Sequence, residues 1–203
     1  MGNQLGFAQG FVNMDFEDAN NLGTPASFNQ ISAADAFPGW TVTARYIFYD
    51  NVSLSGGSVS IFDSNPPYSA APIQGTYFVY LAGVNVPGYD IPISLGQTGQ
   101  IPSSAKSITF WGNDEGMQIT FNGQPLSFST IGSTANYSIY GADISAFAGQ
   151  TGQLLFTVPP LTGSDNLDNI QFSSSSVPEP SEFALSALGG LLLGFLRWRT
   201  FLR

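Results

Sequence analysis

Stretches of five to eight residues rich in Val, Ile, Thr, Tyr and Phe recur along this chain, each bounded by Gly, Pro, Asn or Ser. β-branched and aromatic side chains suit a pleated, half-buried surface and the breakers punctuate it, so the rhythm predicts an all-β sandwich. The candidate strands are Phe11–Glu17, Trp40–Tyr49, Ser58–Phe62, Thr76–Leu81, Ile91–Thr98, Ser107–Trp111, Met117–Phe121, Asn136–Tyr140, Gln153–Val158 and Leu167–Phe172. In Met117–Phe121 apolar and polar residues alternate, which puts Met117, Ile119 and Phe121 on one face. Asn122-Gly123 follows at once, a dipeptide suited to the positive φ angles of a type I′ turn, and Pro125–Phe128 is the expected return strand. Pro92 lacks a ladder donor, which places the Ile91–Thr98 strand at a sheet edge. Gly141–Gly152 reads as one helical turn with Asp143 as its N-cap, leading into a strand.

Composition narrows the chemistry. With no His and no Cys among 203 residues, Ser-His-Asp and Cys-His catalysis and His-ligated zinc are excluded. Lys and Arg number 5 against 14 Asp and Glu, a net charge of -9, so nucleic acid is not an expected partner. An apolar fraction of 43% with 14% aromatics is enough to bury one core, here in a single domain of about 160 residues. No internal repeat and no linker interrupts it. Stability without cysteine must come from that core rather than from disulfides.

Charge and apolarity divide the chain at Ser176. Residues 1–176 hold 12 acids against Arg45 and Lys106, net -10, whereas 177–203 hold Glu179 and Glu182 against Arg197, Arg199 and Arg203, net +1. Residues 173–176 are a polar serine linker. From Phe183 to Leu196 the sequence FALSALGGLLLGFL is uncharged for 14 residues and then meets RWRTFLR. As a helix this run spans about 21 Å, short of a ~30 Å hydrocarbon core unless Trp198 is included and the arginines snorkel. The three arginines would keep the C-terminus cytoplasmic and the body on the far side of the membrane. At the other end, Gly6-Phe7-Ala8 has the small-residue spacing that a signal peptidase reads, so residues 1–8 are either a signal remnant or the true start at Met1.

Val177-Pro178-Glu179-Pro180-Ser181, followed by the uncharged run and the basic cluster, resembles the PEP-CTERM sorting signal of exported bacterial proteins over the last 27 residues. The resemblance implies recognition by an exosortase, a membrane protease-transpeptidase that cuts near the motif and passes the body to the envelope or an extracellular matrix. On that reading Pro178, Glu179 and Pro180 are the recognition element, and Arg197, Arg199 and Arg203 are the stop-transfer charges. Trp198, Thr200, Phe201 and Leu202 interrupt the basic cluster, a departure from the family's plain run.

The body resembles the jelly-roll, carbohydrate-binding-module-like domains that precede such tails. The resemblance rests on Asp15-Phe16-Glu17, Pro38-Gly39-Trp40, Asp143-Ile144-Ser145-Ala146-Phe147-Ala148-Gly149 and Leu167-Asp168-Asn169-Ile170-Gln171-Phe172. It implies an antiparallel jelly-roll sandwich over residues 9–172, whose first and last strands pair and share a structural calcium held by Glu17 and Asp168. Carboxylate oxygens suit that hard cation. The short linker and a single C-terminal hydrophobic helix within 177–203 complete the expected architecture.

Three function classes remain. A non-enzymatic surface or matrix component is the first. The second is a module binding exopolysaccharide through loop aromatics, with Tyr68, Tyr89 and Trp111 as candidates, although each taken singly also suits a core. The third is hydrolysis by carboxylates alone, for which Asp114-Glu115 is the visible pair; it sits in a turn composition, where neighbouring side chains diverge into solvent. The expectation is therefore a protein without enzymatic activity.

Overall fold

Along residues 151–158, polar and apolar residues alternate so that Leu154, Phe156 and Val158 are fully buried while Thr151 and Gln153 face solvent. That period-two pattern needs a second layer to cover the apolar side. The computed structural model describes residues 10–24, 29–49, 57–63, 73–84, 91–113, 116–160 and 162–177. In chain order its elements are helix α1 (Ala33–Ala36) and strands β1 (Thr41–Thr43), β2 (Tyr46–Tyr49), β3 (Ser58–Asp63), β4 (Tyr77–Ala82), β5 (Ile93–Gln100), β6 (Ser107–Gly112), β7 (Gln118–Phe121), β8 (Gln124–Pro125), β9 (Phe128–Ser133), β10 (Ser138–Asp143), β11 (Thr151–Val158) and β12 (Ser164–Ser173). A short 3-10 turn at Ser145–Phe147 precedes β11.

The strands form a five-stranded sheet ordered β1-β5-β11-β7-β8 and a seven-stranded sheet ordered β2-β3-β4-β12-β6-β10-β9. Fully buried Val59, Ile61, Val79, Leu81, Ile108, Phe110 and Leu167 from the larger sheet share one core with Ile93, Leu95, Phe121, Leu154 and Phe156 from the smaller. The expected all-β sandwich is what forms. Among the described strands, one pair departs from the antiparallel expectation: β2 runs parallel to β3, from Tyr46↔Ser58 to Tyr49↔Ile61.

Three expected elements differ. Residues 11–17 form no strand, because Asn13 and Phe16 adopt positive φ (49° and 61°) and the segment turns instead of extending. The Gln97 side chain accepts from the Val12 amide at 2.6 Å and donates to its carbonyl at 2.9 Å, serving as a ladder partner. The Trp40–Tyr49 stretch is broken at Ala44-Arg45, where the Arg45 amide donates to Gly57 O at 2.8 Å. β1 and β2 consequently join opposite sheets. Pro92 lies just before β5, which is flanked by β1 and β11 rather than at an edge. The strand starts one residue after the proline, so no ladder donor is lost.

Two turns follow the sequence more closely. Asn122 and Gly123 carry φ of 49° and 75°, the left-handed pair a type I′ turn demands. The return strand, however, pairs only through Gln124↔Phe121 and Pro125↔Thr120 before the chain crosses to β9 in the other sheet. Asp143 ends β10, and its carboxylate accepts from the Ser145 amide at 2.8 Å; the N-cap of the 3-10 turn falls one residue later than expected, on Ile144, whose side chain makes no cap hydrogen bond. Ser145's hydroxyl, with that amide bond second, holds the Asp143 pKa below the usual carboxylate range.

Candidate functional site

The sandwich has two chemically distinct places on and beside β12. The first is a carboxylate cluster built by the turn that opens β4. Glu17 Oε1 accepts from the amides of Thr76 (2.7 Å) and Tyr77 (2.9 Å). Asp168 Oδ2 accepts from Gln74 N (2.8 Å), and its Oδ1 accepts from Asn169 N (2.6 Å). One four-residue turn thus grips both acids that the sequence pointed to. Gly75 at its centre has φ of 63°, and a Cβ there would collide with the Glu17 carboxylate. Only glycine allows this approach.

Asp168 is fully buried. Loss of hydration pushes its pKa up to about 8: the amide bonds from Asn169 and Gln74 lower it, and the charges of Glu17 and Asp15 raise it further. Burial disfavours the charged form of a carboxyl group, and two amide donors do not restore what water supplied. The neighbouring Gln74 Oε1 is also buried and has no hydrogen-bond partner. Two carboxylates and an orphaned amide oxygen are hard oxygen donors of the kind calcium takes. They fit such a cation, although among the described residues no three acids converge as a ready cage. Nearby, Tyr49 donates to Asp63 Oδ2 at 2.6 Å, and burial followed by that carboxylate raises the Tyr49 pKa. Tyr77, in register with Asp63, is raised by burial and by the charges of Asp63 and Glu17.

The second place is on the face of the larger sheet turned away from the core. Trp111 follows buried Phe110 on β6 and so points outward, half-buried. Its ring stacks on that of Tyr137 with centroids 5.0 Å apart and planes 14° from parallel. Ile139 of β10 lies directly across from Trp111, and Gln171 of β12 lies across from Thr109 of β6. Thr109 and Gln171 are uncharged, and Gln171 is exposed. An aromatic platform flanked by neutral donors and acceptors is a surface for a neutral hydroxylated ligand. Register ties the two places together: Asp168 is the cross-strand partner of Trp111, and the bulge that follows it carries Asn169 at φ 46°.

Of the expected site residues, Glu17 and Asp168 meet through residues 74–77. Trp111 lies on a strand rather than in a loop. Tyr68, Tyr89, Asp114, Glu115, Pro178, Glu179, Pro180, Arg197, Arg199 and Arg203 lie outside the described residues, as does the expected C-terminal helix. Ile139 and Gln171 escaped the sequence reading because only strand register sets them beside β6; Tyr137 reaches Trp111 from just ahead of β10, and Gln74 reaches Asp168 from the turn before β4. The one sequence signal for Tyr137 was its place at the start of the Asn136–Tyr140 strand, which sets its side chain on one face or the other.

No family model matches the chain, and no curated protein matches it. Among solved structures, the carbohydrate-binding module TmCBM61, solved in complex with β-1,4-galactotriose, aligns with a TM-score of 0.45 and 16% identity over 81% of this chain and 98% of that one. The enzymatically active domain of bacteriophage CBA120 tailspike protein 4 aligns with a TM-score of 0.40 and 12% identity over 72% of this chain. The match spans 21% of the tailspike chain.

Proposed function

We propose that the body is a non-enzymatic, jelly-roll carbohydrate-binding module that holds neutral exopolysaccharide on the Trp111–Tyr137 platform, exported and delivered to the cell envelope or extracellular matrix by its PEP-CTERM-like tail. The observation that carries the reading is the stacked, half-exposed aromatic pair on the outer face of the larger sheet, with Thr109 and Gln171 at hand as neutral hydrogen-bonding groups. In a body this acidic, an uncharged aromatic surface selects a ligand without anionic groups. The tail supplies the address through Pro178, Glu179 and Pro180, read by an exosortase, with Arg197, Arg199 and Arg203 as the stop-transfer charges. Glu17 and Asp168 hold a structural calcium, which would neutralise the buried Asp168 and brace the strand that carries Trp111's neighbour.

Affinity electrophoresis of the full chain through gels cast with soluble neutral polysaccharides tests the binding. Wild type is retarded by at least one of them, and Trp111→Ala loses at least about tenfold in affinity, about 1.4 kcal/mol of ligand contact, with its melting temperature monitored as a check on folding. Equal retardation of both proteins would remove the platform from the binding surface; no retardation by any polymer would sink the binding reading. For sorting, intact-mass measurement of protein from the native host's envelope and medium is expected to find a C-terminus near Pro178–Pro180 in wild type and an intact tail in Glu179→Ala.

A further inference from the structure

The serine-rich segment between body and tail is tied down at both ends. β12 runs through Ser173, whose carbonyl accepts from the Lys106 amide at 2.8 Å. Ser107 Oγ donates to Ser175 O at 2.8 Å, and the Ser175 amide donates to Ser173 Oγ at 3.1 Å. Ser174, Ser175 and Ser176 are exposed, but Val177 is half-buried again. Its seat is Gly141 on β10: a Cβ at that position would stand 3.0 Å from Val177 Cγ2 and 3.2 Å from both Cδ1 and Cγ2 of Ile131. The missing side chain of Gly141 is therefore the notch that Val177 fills, with Ile131 as its wall. A run of exposed serines would otherwise be easy to draw out; here a polar bridge and an apolar anchor fasten it to the sheet.

We infer that Val177 is a latch: seated on Gly141 against Ile131, it holds residues 173–177 on the larger sheet, so that a protease engages the chain just ahead of Pro178-Glu179-Pro180 only after Val177 unseats. A protease groove takes its substrate as an extended strand over several residues on both sides of the bond it cuts. No free residue separates Val177 from Pro178, so the upstream half of that strand must come from the docked segment. Cleavage in this region then tracks the small population in which the segment has opened. The consequence for sorting rests on the exosortase reading above; the latch itself rests on contacts within the described residues.

Subtilisin, a protease of broad specificity, applied to the full chain and followed by intact mass, tests the latch apart from sorting. Val177→Ser removes the anchor and leaves both sheets untouched; Gly141→Ala fills the notch. Cleavage within residues 173–177 is expected to be at least about tenfold faster in both variants than in wild type, with equal melting temperatures for wild type and Val177→Ser. Equal cleavage of wild type and Val177→Ser overturns the latch. In the native host, the latch predicts that Gly141→Ala, if it folds, is trimmed near Pro178 sooner than wild type. An intact tail in every sample would instead defeat the exosortase reading, with the latch still decided by the subtilisin rates.

Discussion

Asp168 is where a single side chain sets a measurable property of the whole protein. Its folded-state pKa, raised to about 8 by burial, lies above the ~3.9 of an unfolded chain. For a group shifted in this direction, the folded state holds the proton more tightly, so the contribution to stability is complete below about pH 4 and is lost as pH rises toward 8. At about 1.4 kcal/mol per unit, the loss over that window reaches a few kcal/mol. In chelator, the melting temperature is expected to fall from pH 4 to pH 8, and the Asp168→Asn variant to show a much shallower fall. Growing repulsion among the other acids acts on both proteins alike, so the difference between the two slopes isolates Asp168. Millimolar calcium is expected to raise the wild-type melting temperature at pH 8 and leave Asp168→Asn unmoved. Equal slopes would show that the carboxyl is hydrated in solution, and no calcium response would remove the cation from Glu17 and Asp168. The identities of these two acids were legible in the sequence because they stood in segments resembling a known pattern. Gln74 was not, since nothing local marks a glutamine whose amide will bond a distant carboxylate while its side-chain oxygen is left buried without a partner.

At the scale of elements, local signals proved reliable where the backbone itself imposes the geometry. Asn122-Gly123 could be read as a turn because few residues tolerate two successive positive φ angles. Gly123 has open space around it, so Gly123→Ala strains only the backbone and is expected to cost about 1 kcal/mol. Gly152 poses a different problem: a Cβ there would strike the Asn122 side chain, whose Oδ1 accepts from Gln153 N at 3.0 Å. Gly152→Ala must displace that amide from the hairpin, so it is expected to cost more than Gly123→Ala, about 2 kcal/mol once the lost hydrogen bond is included. Urea denaturation of the two variants checks the order, and a reversed order would mean that Asn122 does not fasten β7 to β11. What could not be read was anything settled by a distant partner. Residues 11–17 look like a strand, but Asn13 and Phe16 turn the chain at positive φ and the Val12 backbone is taken up by the side chain of Gln97, 85 positions away; the Trp40–Tyr49 strand breaks because Gly57 O captures the Arg45 amide.

Across the whole molecule the two sheets are joined by a chain of rings. Phe128 and Tyr140 meet Phe110 at centroid distances of 5.2 Å each, Phe110 meets Phe156 of the opposite sheet at 5.8 Å, and Phe156 meets Trp40 at 6.4 Å. Trp40 in turn packs on Phe16 at 5.5 Å and donates its indole N–H to Asn13 O at 2.9 Å. The presence of a core of this kind was evident from the aromatic content and strand rhythm, but which sheet each strand joins was not, because alternation marks the buried side of a strand and is silent about its neighbours. With no disulfide to divide the molecule into separately anchored parts, the layers depend on each other through this chain. Phe110, fully buried at the junction, is the residue through which that dependence is tested. Phe110→Ala removes ring contacts to both sheets and leaves a cavity, at an expected cost of about 3–5 kcal/mol. Unfolding should remain a single step in wild type and variant, with the far-ultraviolet circular dichroism and the near-ultraviolet aromatic signal changing together. If the variant lost the near-ultraviolet signal first while its strand signal persisted, the sheets would be separable layers and the ring chain a local contact rather than the tie between them.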